Sequence, residues 1–379
     1  RRASLVDADN LLPLDFENAL CLETFAQLVK EREDAVLEEL LADEGTLCAV
    51  GPEGAFTHEL VVPFLARPSS PATRGTTHRP KPEGPRTFPP GSSWLYAKLY
   101  TGSASADALL REHLGPLVWE VVGSGAAERW FFIRYGDPDW HLRLRFQGDP
   151  RRLLAEVMPR LNGLCEPLLR EGLMRRLVLD TYEREVERYG GDGGVLLAER
   201  LFHHDSDAVL ALVGMLPGDE GADARWRLAL RGADLLMADL GLGLNARLRV
   251  MRQAREGLAR EHRVDGAFEE RLSAKYRKER KALETLLWSA GEDHPYEPGL
   301  AVLRQRSEAS RPVVVELSAL ARDGRLAEPV EELAGSFVHM HVNRLLRAAH
   351  RAQELVIYDF LARLYESRLA RARRSGDEG

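Results

Sequence analysis

Apolar and polar positions change period several times along this chain, and each change marks an element. Leu22, Phe25, Leu28, Val29, Val36, Leu37, Leu40 and Leu41 recur at helical spacing, which predicts a helix over 22–41. GTLCAVG and THELVVPFL are short apolar runs of strand character, with Gly-Pro-Glu-Gly as the turn between them. Over residues 67–93, RPSSPATRGTTHRPKPEGPRTFPPGSS carries no apolar period and reads as an extended connector. Regular patterning resumes at Trp94. WLYAKLYTG reads as a strand and SADALLREHL as a helix broken by Gly115-Pro116, with a second short helix in LVWEVVGS. RWFFIRYG and HLRLRFQG are strands joined by the DPDW turn. DPRRLLAEVMPRLNGLCEPLLREG is helical, and LMRRLVLDTYERE is strand-like. That order is the ferredoxin-like β-α-β-β-α-β arrangement. From Leu196 the pattern is helical almost to the end, punctuated by HHDSD, LPGDEGAD, HRVDG and AGEDHPYEPG. A sheet layer followed by a mostly helical half predicts an α+β fold.

Composition narrows the function classes. Of 379 residues, 44% are hydrophobic and 29% charged, enough for a packed core. The 52 basic and 59 acidic residues leave a net charge of −7, which argues against a general nucleic-acid binder. Three cysteines, Cys21, Cys48 and Cys165, are too few and too scattered for a disulfide framework or a zinc site. No run of about 18 uncharged apolar residues offers a membrane span. The chain begins RRASLVDADN, with no initiator Met and no signal-peptide pattern, which suggests an intracellular, cytoplasmic segment of something longer.

Three segments carry unusual chemistry. In His141-Leu-Arg-Leu-Arg-Phe146 the period of two puts His141, Arg143 and Arg145 on one strand face. The preceding strand, which includes Arg134, is nearly all apolar and should lie centrally. Two arginines beside a central strand need anions or a pocket to line, and guanidinium suits bidentate carboxylate binding. A solvated outer face is the plain alternative. In TYEREVERYGG, Glu185 and Arg188 are neighbours on a helical turn, as in any surface ion pair, and Gly190-Gly191 then permits positive φ. In SFVHMHVNRLLR, His339 and Asn343 share a helix face while His341 points about 200° away, poor spacing for two metal ligands on one helix. A lone His on such a face also suits a satisfied core position. Ser336 is available as an N-cap for this helix, and Asp205 or Ser206 as an N-cap after HHDSD. No phosphate-cradling, dinucleotide, nucleophile-elbow or catalytic-Cys pattern occurs.

Together, RWFFIRYGDPDWHLRLR, EVERYGG and SFVHMHVNR resemble the C-terminal elimination domain of class I lanthipeptide dehydratases, a domain type shared with thiopeptide biosynthesis enzymes. The likeness runs from about Ser93 to the end. LLPLDFEN and HELVVPFL look like the close of the glutamylation domain that precedes it. The domain reading is therefore a glutamylation-domain remnant over 1–67, a linker over 68–92, and an elimination domain over 93–379, with its α/β part at 93–191 and its helical part at 192–379.

The resemblance implies a lyase that removes glutamate from glutamylated Ser or Thr of a ribosomally made precursor peptide, leaving dehydroalanine or dehydrobutyrine. Arg143 and Arg145 match the family's basic strand and would hold glutamate carboxylates. Arg188, oriented by Glu185, would stabilise developing negative charge. His339 would be general acid or base. Arg134, His141 and Asn343 would contribute to substrate binding. It implies no bound cofactor and no metal; glutamyl-tRNA belongs to the partner glutamylation domain. The implied partners are the precursor peptide, that glutamylation domain, a second copy in a homodimer and a cyclase. Rival readings are a thiopeptide pyridine synthase, a non-catalytic precursor-docking module and a peptide aminoacyl-tRNA ligase.

Overall fold

The structure, a computed structural model, describes residues 2–7, 10–30, 34–39, 47, 49–52, 54–56, 84–289 and 291–375. It divides into two compact units, Arg1–Thr77 and His78–Gly379.

In the first unit, β1 (Arg2–Asp7) pairs antiparallel with β2 (Asn10–Asp15). Asn18 caps α1 (Ala19–Val29), its side-chain oxygen accepting the Leu20 N–H at 2.9 Å. The helix predicted over 22–41 stops there, and β3 (Val36–Glu39) pairs with the other edge of β1, placing Leu37 opposite Leu5. The charged run Lys30-Glu-Arg-Glu-Asp34 interrupts the apolar stripe, and a waiting strand edge outweighs weak helix propensity. β4 (Ala49–Gly51), within GTLCAVG, pairs antiparallel with β5 (Gly54–Phe56), which precedes the second strand expected from the sequence. THELVVPFL and most of the expected linker, up to residue 83, lie outside the described residues.

The second unit opens with β6 (Thr87–Phe88), within the segment read as connector. Phe88 is buried, stacked on Tyr182. Then come β7 (Trp94–Tyr100), α2 (Ser103–Ala108), a π-helical stretch (Leu109–Leu114) and α3 (Gly115–Gly123). Gly115-Pro116 does not break this helical run. The wide π-turn accommodates the proline's missing N–H, so the axis continues into α3. β8 (Arg129–Tyr135) and β9 (His141–Gln147) form the hairpin around DPDW. Asp149 accepts from the Arg151 and Arg152 N–H groups at 3.0 Å and starts α4 (Pro150–Arg152), which runs through Leu153–Val157 into α5 (Met158–Arg170). β10 (Arg176–Asp180) completes an antiparallel sheet of order β10-β7-β9-β8, the ferredoxin-like order, and β11 (Tyr182–Glu183) pairs with β6.

The helical half comprises α6 (Gly191–Met215), α7 (Gly218–Asp239), α8 (Leu244–Glu261), α9 (Gly266–Trp288), α10 (Glu297–Arg322), α11 (Val330–Leu345) and α12 (His350–Ser375). The α+β class with a mostly helical second half stands. HHDSD, however, does not separate helices; it lies inside α6. Four of its five polar side chains find tertiary partners. His203 Nδ1 lies 3.2 Å from the Trp130 carbonyl, Ser206 Oγ accepts the Phe132 N–H, and Asp207 accepts the Trp130 indole N–H at 2.7 Å. From α11, Arg344 donates to the Phe132 carbonyl at 2.8 Å, and Asn343 both accepts the Arg134 N–H and donates to its carbonyl, each at 2.9 Å. β8, expected at the centre for its apolar run, is instead the sheet's outer strand, buried because these side chains close its open edge.

Candidate active site

Cross-strand partners share a sheet face, so pairing fixes who meets Arg145. Tyr96 of β7 and Phe131 of β8 flank it. Its guanidinium carbon sits 4.4 Å from the Tyr96 ring centre, 5.1 Å from Phe131 and 4.8 Å from Tyr182 of β11. Arg145 is only 8% exposed, its Nε makes no hydrogen bond, and among the described residues no carboxylate forms an ion pair with it. Burial lowers its pKa from the usual arginine value, but a guanidinium so strongly basic stays charged. A desolvated cation held by ring faces is a costly group to keep without an anion.

Arg143 stands two positions back on the same face. It lies 3.4 Å over the Tyr135 ring, and its Nε donates to His141 Nε2 at 3.1 Å. His141 is buried against Tyr100, with Nδ1 2.7 Å from the Asp139 carbonyl, and so holds Arg143 in place.

Arg188 comes from the 3₁₀ turn Glu187–Tyr189. Gly190 and Gly191, at φ 81° and 93°, then reverse the chain into α6, as the sequence anticipates. Arg188 pairs with Glu185 at 2.9 Å and donates to Ser336 Oγ at 3.4 Å. Burial opposes its charge, but the Tyr189 hydroxyl and Glu185 carboxylate more than offset this and raise its pKa. Ser336 is therefore an interior residue of α11, not its N-cap, a position held by Pro329. Tyr189 stacks on Phe337 and meets Phe202, which in turn meets Phe131 beside Arg145. Burial pushes the Tyr189 hydroxyl up to about 12, against the pull of Arg188, Arg344 and Arg145.

His339 lies one turn beyond Ser336 on α11. Its Nδ1 is 2.6 Å from Oε1 of Glu354 in α12, a carboxylate with no solvent exposure. Arg351 binds the other oxygen, Oε2, at 3.2 Å. Among the described residues His339 Nε2 has no hydrogen-bond partner, and the ring is partly exposed.

Ring contacts among Phe131, Phe202, Tyr189 and Phe337 thus run from Arg145 to the Arg188–Glu185 pair, with Arg143 adjoining on the sheet; Arg188 reaches Ser336, one turn from His339 on α11. The structure places Arg134 and Asn343 elsewhere. Arg134 shares the face of Leu142, opposite Arg145, and binds Asp107 at 2.6 Å. Asn343 serves the β8 edge. His341 turns away from His339, as expected, into a fully buried cluster, 2.7 Å from Asp205, which also holds Arg344 and Arg306. Asp205 is a mid-helix ion-cluster centre rather than an N-cap. No group of three or more metal-ligating side chains gathers among the described residues.

Sequence reasoning missed Glu354, Tyr182 and the Ser336 contact. One signal was present for Glu354: it falls in helical register with Tyr358, Leu361 and Tyr365, so an acid sits on an apolar stripe.

Comparison with known proteins places the chain in a family. The subtilin biosynthesis protein SpaB of Bacillus subtilis is 32% identical over 215 residues, covering 56% of this chain and 21% of the relative. The nisin biosynthesis protein NisB of Lactococcus lactis subsp. lactis is 28% identical over 221 residues, with the same coverage. This chain therefore spans about a fifth of these relatives. Among solved structures, the tRNA-dependent lantibiotic dehydratase MibB from Microbispora sp. 107891 superposes with a TM-score of 0.58 at 22% identity, over 98% of this chain and 37% of that one. TbtD, a pyridine synthase from thiomuracin biosynthesis, gives 0.54 at 19% identity, over 73% of this chain and all of that one, a likeness of fold. The family model described as lantibiotic biosynthesis dehydratase C-term matches residues 94–365, so the chain belongs to the family of lantibiotic dehydratase C-terminal domains.

Proposed function

We propose that this chain eliminates glutamate from glutamylated Ser or Thr of a ribosomally made precursor peptide, leaving dehydroalanine or dehydrobutyrine. The observation that carries the reading is Arg145, a buried guanidinium with an unsatisfied Nε and no carboxylate partner among the described residues. The carboxylate of the glutamyl group supplies the missing anion, and Arg143 adds a second cation on the same face. His339 takes the Cα proton through Nε2. The electrons of that C–H bond form the new C=C bond, the C–O bond to glutamate breaks, and the leaving carboxylate carries its electron pair away. Arg188, aligned by Glu185, stabilises the enolate-like charge before that bond breaks. The imidazolium then returns its proton to solvent. These steps need no metal or organic cofactor. In the full system a glutamylation domain supplies the substrate, and a cyclase takes the product.

The test supplies a synthetic glutamyl-Ser peptide to the chain and follows its mass. Loss of glutamate with appearance of dehydroalanine supports the reading. Release of a leader with macrocycle formation from a dehydroalanine peptide supports a pyridine synthase instead.

A further inference from the structure

We propose that Glu354 is the positioning residue of the site: it holds His339 in the tautomer that leaves Nε2 free to accept a proton. The proposal rests on the elimination reading and deepens it.

Three observations carry it. Glu354 has no solvent exposure, so its carboxylate depends on protein partners. Those partners are His339 Nδ1 at 2.6 Å and Arg351 Nη1 at 3.2 Å, one per oxygen. A carboxylate facing a neutral imidazole is the acceptor, which assigns the proton to Nδ1 and the lone pair to Nε2. Arg351 is itself anchored by Glu261 of α8, which fixes the carboxylate plane from a third helix. The imidazole is therefore held by α12 and α8, while its own helix α11 carries Ser336 against Arg188 one turn away. When Nε2 takes the Cα proton, the imidazolium forms beside a buried negative charge that is already in place, with no reorganisation. Glu354 touches neither peptide nor glutamate; it acts through His339.

The experiment compares the full chain with Glu354→Gln, His339→Ala and the double variant, using the glutamyl-Ser peptide and measuring kcat and KM separately. Gln keeps shape and volume, but its amide can donate to Nδ1 and impose the other tautomer. The expected result is a loss of about 10²–10⁴-fold in kcat for Glu354→Gln with KM unchanged. Glu354→Asp should restore part of the loss. The double variant should be no slower than His339→Ala alone, because both substitutions disable one unit. Losses that multiply in the double variant, or Glu354→Gln within about twofold of the parent, overturn the proposal. A second measurement needs no variant: long-range ¹H–¹⁵N spectra of the wild-type chain should show His339 protonated at Nδ1, and the Nε2–H tautomer contradicts the assignment. If His339→Ala itself eliminates normally, the reading of the whole site fails, an outcome distinct from failure of the Glu354 assignment alone.

Discussion

On the proposed reading, Arg145 sets function against stability at a single position. Its burial among Tyr96, Phe131 and Tyr182 desolvates a charge that no carboxylate of the described residues balances. Arg145→Met fills similar space without the charge. It should leave the urea unfolding midpoint unchanged or higher while elimination falls at least about 10²-fold. A marked loss of stability would mean that the guanidinium is there to hold the fold. Arg145→Lys should also fail, because an ammonium cannot stack its charge over three rings and fork to a carboxylate. At this scale the sequence exposed the cationic face through its period of two. It could not show that Arg134, on the neighbouring strand, faces the other way; only the register Arg134↔Leu142 reveals that.

The elements are held by side chains that replace backbone pairing. Asn343 gives the exposed edge of β8 both a donor and an acceptor, in the manner of one residue of an added strand. Asn343→Leu leaves a buried N–H and a buried carbonyl unsatisfied. At roughly 1–3 kcal/mol each, the two should together cost about 2–6 kcal/mol in urea unfolding. A change below about 0.5 kcal/mol would refute the edge-closing role. The apolar runs WLYAKLY and RWFFIRY, the alternation in HLRLRFQ and the turn at DPDW made the sheet legible in advance. HHDSD was not legible as helix, because His203, Asp205, Ser206 and Asp207 are accommodated by partners more than 70 residues away in sequence. The helix read through Leu41 failed for a related reason: β1 offered Val36–Glu39 a pairing that periodicity cannot register.

Across the molecule, a net charge of −7 surrounds a local cationic site, so charge position matters more than total charge. Acid stability follows from one half-buried and one buried group. Burial, with repulsion from His203, Arg200 and Arg129, lowers the His204 pKa to about 4 from 6.5. The unfolded chain then binds a proton that the folded chain excludes. This contribution is full above about pH 6.5 and is lost as pH falls toward about 4. His204→Leu should flatten the stability curve in that window; curves that stay parallel would contradict the assignment. Asp205 adds a second decline at lower pH. Burial opposes its charge, but His341, Arg344 and Arg306 hold its pKa below the usual carboxylate range, so its stabilisation is lost as it protonates. The central claim, that of the proposed function, is that Arg145, Arg188 and His339 act together to eliminate glutamate. The most direct test is mass spectrometry of a glutamyl-Ser peptide incubated with the chain and with His339→Ala. The account predicts dehydroalanine and free glutamate from the parent, and intact glutamyl peptide from a folded variant. Equal dehydration by both would contradict it.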